Sequence, residues 1–220
     1  MEIKALLLDM DGTILGTEEI WNTSIIFANE HFGVKVPNDF YIKNIGTTLQ
    51  QKYEKILPYL DGAGVFPQEY CDYQKVWKEN HIKQNGVCLR SGYDNLIAYA
   101  KENSIKLALV TSASKESVLF NFHYANLDLS VFDAVVTREC VTNIKPNAEP
   151  YEKAMQNLGL IPMQCVAVED SSIGITSAIN ANVVAVFAKG TSELDSGLED
   201  KVAYKINNFD ELIEWLKNNA

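Results

Sequence analysis

The sequence has few residues that bind soft metals, and those present are not paired. It contains three histidines and four cysteines, and none stands at the spacing of a zinc site or a CxxC motif: His31, His81, His123, Cys71, Cys88, Cys140 and Cys165. The cysteines are typical of reduced, mostly buried thiols in a cytosolic protein. These absences argue against a zinc-binding or disulfide-rich fold.

Long hydrophobic runs and positive charge are also scarce. No uninterrupted apolar stretch approaches the roughly 18–20 residues that cross a bilayer. Lys4 interrupts the N-terminal apolar run, which then meets Asp9 and Asp11, so a signal peptide is not expected. The formal net charge of -10 repels nucleic-acid phosphates and anionic membranes. We therefore expect a cytoplasmic protein without nucleic-acid or membrane partners, with a monomer as the default.

Short aliphatic runs alternate with helical patterns over most of the chain. Runs typical of strands buried on both faces are found at 3–8, 105–110, 132–136, 165–168 and 183–187. Helical patterns occur near 115–125, with Ser114 as N-cap, and near 151–158, 173–181 and 209–216, the last capped by Asn208. The alternation predicts an α/β fold with a doubly wound parallel sheet.

Residues 17–87 break this alternation and contain no convincing strand. Helical patterns are predicted from Thr17 to Gly33, around 49–56 and around 70–77. We predict a small all-α domain over 17–87, inserted after the first strand of an α/β core made of residues 1–16 and 88–220. Its aromatic side chains are expected to fill its own core rather than line a ligand pocket: Trp21, Phe27, Tyr53, Tyr70 and Trp77.

Polar clusters follow four of the predicted strands. They are Asp9-Met10-Asp11-Gly12-Thr13, Thr111-Ser112-Ala113-Ser114, Lys145-Pro146 and Glu169-Asp170-Ser171-Ser172. Each cluster alone is typical of a turn or a helix cap. Because the carboxyl ends of parallel strands meet at one edge of a sheet, the four together predict one catalytic cleft.

The residue types in these clusters suit phosphoryl transfer. Packed carboxylates repel one another unless a cation neutralises them, and oxygen ligands without histidine or cysteine suit Mg²⁺. Asp9 can attack phosphorus and form an acyl-phosphate, while Asp11 can protonate the leaving oxygen and then activate water. Substrate binding is assigned to the hydroxyls of Thr111 and Ser112 and to the Lys145 ammonium.

These motifs resemble those of the haloacid dehalogenase superfamily, in its phosphatase and phosphoglucomutase-like branch with an α-helical cap. The resemblance spans the whole chain. The DxDGT motif reads Asp9-Met10-Asp11-Gly12-Thr13, and the second and third motifs match Thr111 and Lys145. The fourth motif, an acidic pair followed by Ser and a downstream Gly, matches Glu169-Asp170-Ser171 and Gly174.

The resemblance implies a role for each matching residue. Asp9 would be the nucleophile and Asp11 the general acid and base. Mg²⁺ would be held by the Asp9 carboxylate, the Asp11 carbonyl oxygen and Asp170, with Glu169 either a further ligand or a partner of a ligand. The helical domain would be a cap that closes over the substrate.

Two positions depart from the family pattern. Gly16 stands where many members carry an acid, and Lys145-Pro146-Asn147-Ala148 replaces the usual Lys-Pro-x-Pro. Neither departure changes a proposed catalytic group.

The leading prediction is a Mg²⁺-dependent phosphatase that hydrolyses a small phosphorylated metabolite through an aspartyl-phosphate. A sugar phosphate is the first candidate for this metabolite. A phosphosugar mutase of the β-phosphoglucomutase type is the alternative, but the cap histidine of those enzymes would fall at Trp21. Dehalogenases and phosphonoacetaldehyde hydrolases lack the acid that stands here at Asp11. A non-catalytic ligand-binding protein is disfavoured because Asp9, Asp11, Lys145 and Asp170 are all intact.

The loop Asn44-Ile45-Gly46-Thr47-Thr48 in the helical domain is either a substrate-selecting element or an ordinary helix connection. If the loop selects the substrate, Thr47→Ala raises the Michaelis constant of the preferred phosphorylated compound in a steady-state assay. An unchanged Michaelis constant for every accepted substrate would identify an ordinary connection.

Overall fold

The computed structural model describes residues 2–44, 47 and 49–219. The chain forms two compact units, one of Met1–Gly16 with Cys88–Ala220 and the other of Thr17–Val87. Within the described residues, no helix is both long and apolar enough to cross a membrane.

Six parallel strands among the described residues form one sheet in the order β3-β2-β1-β4-β5-β6. The strands are β1 (Ala5–Leu8), β2 (Lys106–Val110), β3 (Ala134–Val136), β4 (Cys165–Glu169), β5 (Val184–Ala188) and β6 (Tyr204–Ile206). The predicted α/β class with a parallel sheet is therefore confirmed. The strand β6 was not predicted, because its sequence Tyr204-Lys205-Ile206 is not an apolar run and only Ile206 is buried.

Helices connect the strands and form the second unit. In the described residues they are α1 (Thr17–Phe32), α2 (Leu49–Leu60), α3 (Pro67–Asn85), α4 (Tyr93–Glu102), α5 (Lys115–Tyr124), α6 (Glu149–Leu158), α7 (Ser172–Asn180) and α8 (Phe209–Asn219). The predicted caps are present, since Ser114 accepts from the Ser117 amide and Asn208 from the Glu211 amide. Helix α4 was missed by the sequence analysis.

One buried cluster of the α/β unit lies between the sheet and helices α6 and α7. Alternate residues of β1, such as Ala5 and Leu7, pack there with Tyr151 of α6 and Ile175 of α7. The central strands are buried along their whole length, as their continuous apolar runs indicated. This packing fixes the strand ends that carry the polar clusters.

The core of the helical unit is mainly aliphatic and also contains the buried aromatic residues Phe40 and Tyr70. Helix α1 packs on α3, and Ile25, Ala28, Val36, Ile56 and Leu60 surround the buried Tyr70. Of the aromatic residues expected inside, Tyr70 alone is buried, whereas Phe27 is 42% exposed and stacks on Trp77. The prediction is confirmed for Tyr70 and wrong for Phe27, because aromatic rings can also pack by stacking on one another near the surface.

The cysteines were predicted to be mostly buried, but only two of the four are. All four thiols are free, and Cys71 and Cys165 are buried while Cys88 and Cys140 are exposed.

Tyr70→Phe tests the polar contact inside the helical unit. The Tyr70 hydroxyl donates to Asn29 Oδ1 at 2.9 Å, and Asn29 also accepts from the Val36 amide. Its loss should lower the free energy of unfolding by about 1–2 kcal/mol. Urea unfolding followed by tryptophan fluorescence measures the loss, and Tyr59→Phe, at a 42% exposed tyrosine, is the control. Equal losses in both variants would contradict the assignment.

Candidate active site

The predicted polar clusters lie at one edge of the α/β unit. Strand β1 lies between β2 and β4, and Leu8 aligns with Leu109 on one side and Val168 on the other. Asp9 therefore follows its strand beside the ends of β2 and β4, where Thr111, Ser112, Glu169 and Asp170 are located. Strand β4 continues one residue further than expected, so Glu169 belongs to the strand itself.

Lys145 links the first and fourth clusters. It comes from the loop before α6, and its buried ammonium donates to Asp9 Oδ1 at 2.6 Å, Glu169 Oε1 at 2.5 Å and the Val110 carbonyl at 2.8 Å. All three of its donors are thus satisfied. Burial alone lowers the pKa of Lys145, but the carboxylates of Asp9 and Glu169 outweigh burial and raise that pKa above its usual value. Lys145 is therefore a fixed cation.

Three carboxylates are clustered around this cation. One oxygen each from Asp9, Glu169 and Asp170 lies within 4.8 Å of the others, and all three residues are buried. Burial, together with the charges of Glu169 and Asp11, raises the pKa of Asp9 well above its ordinary value, and Lys145 opposes the rise only in part. A second cation would keep Asp9 ionised, so an all-oxygen set of this kind fits a divalent metal.

Asp11 lies in a tight backbone loop that follows Asp9. Within the described residues, the carboxylate of Asp11 is not part of the grouped ligands, and the group contains no histidine or cysteine. Gly12 adopts a positive φ of 78°, and its amide donates to the Leu15 carbonyl at 2.7 Å. The loop is thereby turned back on itself directly after Asp11.

Thr13 connects this loop to the fourth cluster. Its buried hydroxyl donates to Asp170 Oδ1 at 3.3 Å. Ser171 is the N-cap of α7 and accepts from the Gly174 amide, so the residues after Asp170 are held by the helix start.

Thr111 and Ser112 lie beside the same strand ends. Thr111 is buried, and its Oγ1 accepts from the Ala113 amide at 3.0 Å, which leaves the hydroxyl proton to be donated elsewhere. Ser112 is partly exposed. The structure thus brings all seven predicted residues to one region of the α/β unit, although their roles remain proposals.

Tyr151 is a member of the site that the sequence analysis missed. It is fully buried in α6, and its hydroxyl donates to Glu169 Oε1, the oxygen that also accepts from Lys145. Burial and the Glu169 charge raise the pKa of Tyr151 well above its ordinary value, so the hydroxyl stays protonated. In the sequence, Tyr151 is indistinguishable from an ordinary apolar helix residue.

Gly174 has a packing role that explains its place in the fourth motif. A Cβ at this position would overlap the Glu169 carboxylate. Glu169 Oε2, on that side, is buried and has no hydrogen-bond partner among the described residues. Such an oxygen is costly to leave unsatisfied, and a metal-bound water or a metal would satisfy it. Glu169 therefore suits either role considered above, that of a metal ligand or that of a partner of a ligand.

The loop 44–48 was considered as a substrate-selecting element. Three of its residues lie outside the described ones, namely Ile45, Gly46 and Thr48. The Thr47 hydroxyl donates to the Asn44 carbonyl at 2.8 Å.

Residues 6–188 match the family model of the haloacid dehalogenase-like hydrolases. The chain belongs to this family. Among curated relatives, the pyrophosphatase PpaX of Halalkalibacterium halodurans is 32% identical over 187 residues, which cover 83% of this chain and 82% of PpaX. The chloroplastic protein SUPPRESSOR OF QUENCHING 1 of Arabidopsis thaliana is 25% identical over 191 residues, 86% of this chain. The chain spans only 18% of that plant protein.

Solved structures share the fold over nearly the whole chain. CbbY from Rhodobacter sphaeroides, in complex with phosphate, has a TM-score of 0.73 and 25% sequence identity, with 96% of each chain covered. A variant of the same protein, in complex with xylulose-(1,5)bisphosphate, has a TM-score of 0.72 and 23% identity, again with 96% of each chain covered. Both similarities extend over 96% of this chain and agree with its α/β fold.

Gly174→Ala should damage the site by displacing Glu169. Because the added methyl group overlaps a buried carboxylate, we expect a loss of about 1–3 kcal/mol in unfolding free energy and a reduced turnover number. Urea denaturation and phosphate-release assays measure the two effects.

Gly197→Ala is the matched control, since a Cβ there meets nothing within 4 Å. A Gly174→Ala variant as stable and active as Gly197→Ala would show that Glu169 does not need this space.

Proposed function

We propose that the protein is a Mg²⁺-dependent phosphatase that hydrolyses a small phosphorylated metabolite through an aspartyl-phosphate on Asp9. One observation carries the proposal. The Lys145 ammonium binds Asp9 directly, inside a buried cluster whose other acids are Glu169 and Asp170. A nucleophilic carboxylate held between cations is what phosphoryl transfer requires, because that reaction depends on positioning and charge stabilisation.

The two half-reactions use Asp9 and Asp11 in turn. Lys145 holds Asp9 Oδ1, so Oδ2 attacks phosphorus while the bond from phosphorus to the leaving oxygen breaks. Asp11, protonated, gives its proton to that oxygen. Asp11 then takes a proton from water, the water oxygen attacks the aspartyl-phosphate, and the bond between phosphorus and Asp9 breaks. Inorganic phosphate leaves and both carboxyl groups return to their starting states.

Binding of the phosphoryl group is assigned to the donors around Asp9. Thr111 and Ser112 offer hydroxyl groups, and Lys145 offers a fixed positive charge to the oxygens. The metal would be held by the Asp9 and Asp170 carboxylates and the Asp11 carbonyl, with Glu169 as ligand or partner. When bound, Mg²⁺ neutralises negative charge on the phosphoryl oxygens.

The substrate class is inferred from the relatives. A sugar phosphate is our first candidate, and the bisphosphate complex of CbbY supports a phosphorylated sugar as ligand for this fold. Pyrophosphate is the second candidate, because the relative PpaX is named a pyrophosphatase. Hydrolysis of either compound uses the same residues.

Trp21 disfavours the mutase alternative. It occupies the place of the mutase histidine, stacks on Tyr41 at 5.2 Å between centroids and has the Lys78 ammonium 4.7 Å from its ring centre. An indole N–H donates a hydrogen bond but does not exchange a proton near neutral pH. A non-catalytic binding role is disfavoured by the intact Asp9–Lys145 pair.

Phosphate release from a panel of sugar phosphates, nucleotides, small phosphorylated acids and pyrophosphate tests the proposal. We expect release that needs Mg²⁺ and stops with EDTA. Asp9→Asn should lower turnover at least about a thousandfold, because an amide cannot form the acyl-phosphate. The ranking of compounds then identifies the substrate class.

Asp128→Asn is the control, since this exposed aspartate only caps a short turn at Leu129–Val131. No release from any compound by the wild-type protein, or release that survives Asp9→Asn, would refute the phosphatase mechanism.

A further inference from the structure

Arg90 joins three loops at the catalytic edge of the α/β unit through main-chain carbonyls. Its Nε donates to the Thr13 carbonyl at 2.7 Å and its Nη2 to the Gly12 carbonyl at 2.5 Å. Its Nη1 donates to the carbonyls of Lys189 at 2.9 Å and Asn207 at 3.0 Å. One guanidinium therefore ties the loop after β1 to the chain after β5 and the turn after β6.

The Arg90 backbone is tied to the same loop. Its amide donates to the Ile14 carbonyl at 2.8 Å, and the neighbouring Leu89 forms a bridge with Leu15. The side chain thus starts from a fixed point beside the loop that it binds.

These contacts set the direction of the peptide groups that follow Asp11. In a trans peptide the N–H and C=O point in opposite directions. The Gly12 amide donates to Leu15, so the Asp11 carbonyl points away from Leu15. Arg90 fixes the next two carbonyls, those of Gly12 and Thr13, and the Ile14 amide donates back to Met10 at 2.9 Å.

Only arginine suits this arrangement. Four carbonyl oxygens that converge on one point repel one another unless a cation lies between them. A guanidinium offers five N–H donors in a rigid plane, whereas a lysine ammonium has three donors on a flexible stem.

We propose that Arg90 is a positioning residue that holds Asp11 in place for proton transfer, by fixing the Gly12 and Thr13 peptides. The inference rests on the proposed phosphatase function, in which Asp11 protonates the leaving oxygen. The four side-chain contacts of Arg90 described above are all to main-chain carbonyls, so its assigned role is to position the loop. Its effect on the first half-reaction is selective, because a misplaced Asp11 slows release of the leaving group only where that group needs a proton.

The test compares two leaving groups in single turnover. p-Nitrophenolate leaves without protonation, whereas the leaving oxygen of phenyl phosphate depends more on an acid. General acid catalysis contributes about 100–10,000-fold. We expect Arg90→Lys to remove part of this contribution and so to slow phenol release at least about tenfold. The release of p-nitrophenol should slow by less than about threefold, because its leaving group does not need the acid. Asp11→Asn should give a larger selective loss.

A double variant tests whether the effect of Arg90 on phenol release is exerted through Asp11. If Arg90 acts through Asp11, Arg90→Lys in the Asp11→Asn background adds no further selectivity. Asn95→Ala is the matched control, since it removes the 2.8 Å bond from Asn95 to Asp210 between α4 and α8 without touching the loop. It should leave the ratio of the two rates unchanged.

Several outcomes would overturn the proposal. Equal slowing of both substrates by Arg90→Lys would indicate a general structural role. If Arg90→Lys still slows phenol release selectively in the Asp11→Asn background, action through Asp11 is ruled out. Arg90→Gln, which keeps one amide nitrogen with two N–H donors, is used if the lysine variant does not fold by circular dichroism. If neither variant folds, Arg90 serves stability instead.

Failure of the phosphatase proposal is distinct from failure of this inference. In that case the wild-type protein itself would release no p-nitrophenol that depends on Asp9.

Discussion

The ammonium of Lys145, placed between the buried carboxylates of Asp9 and Glu169, is the contact on which the catalytic edge of the sheet depends. Both acids lie at the ends of neighbouring strands, and without a cation they would repel each other in a region of low dielectric. Removal of one partner from such a buried pair costs about 3–5 kcal/mol, because a charge is left uncompensated. The same contact holds the proposed nucleophile in place.

The rest of the α/β unit supports this cation and the loop beside it. Tyr151 donates to the oxygen of Glu169 that Lys145 binds, and Gly174 leaves room for the other oxygen. Arg90 holds the loop after Asp9 at two carbonyls. Each support comes from a different element, so the site is assembled only when strands, helices and loops have all packed.

The sequence predicted the elements whose patterns are local and strong. Continuous apolar runs indicated five of the strands, and the caps Ser114 and Asn208 marked the starts of α5 and α8. Strand β6 lacks the apolar run that marked β3, a strand of the same length, because Tyr204 is exposed and Lys205 is charged. In the helical unit Tyr70 is buried as predicted but Phe27 is not, because the choice between burial and surface stacking depends on neighbours distant in the chain, such as Trp77 beside Phe27.

By itself the sequence determined the fold class and the identity of the acids, the lysine and the hydroxyls at the strand ends. These follow from hydrophobic periodicity and from motif residues at strand ends, which are local properties of the chain. Only the tertiary structure decided which groups hold those residues in place. Tyr151 reaches Glu169 across 18 residues of chain and Arg90 reaches Thr13 across 77, and such contacts exist only after packing has brought the elements together.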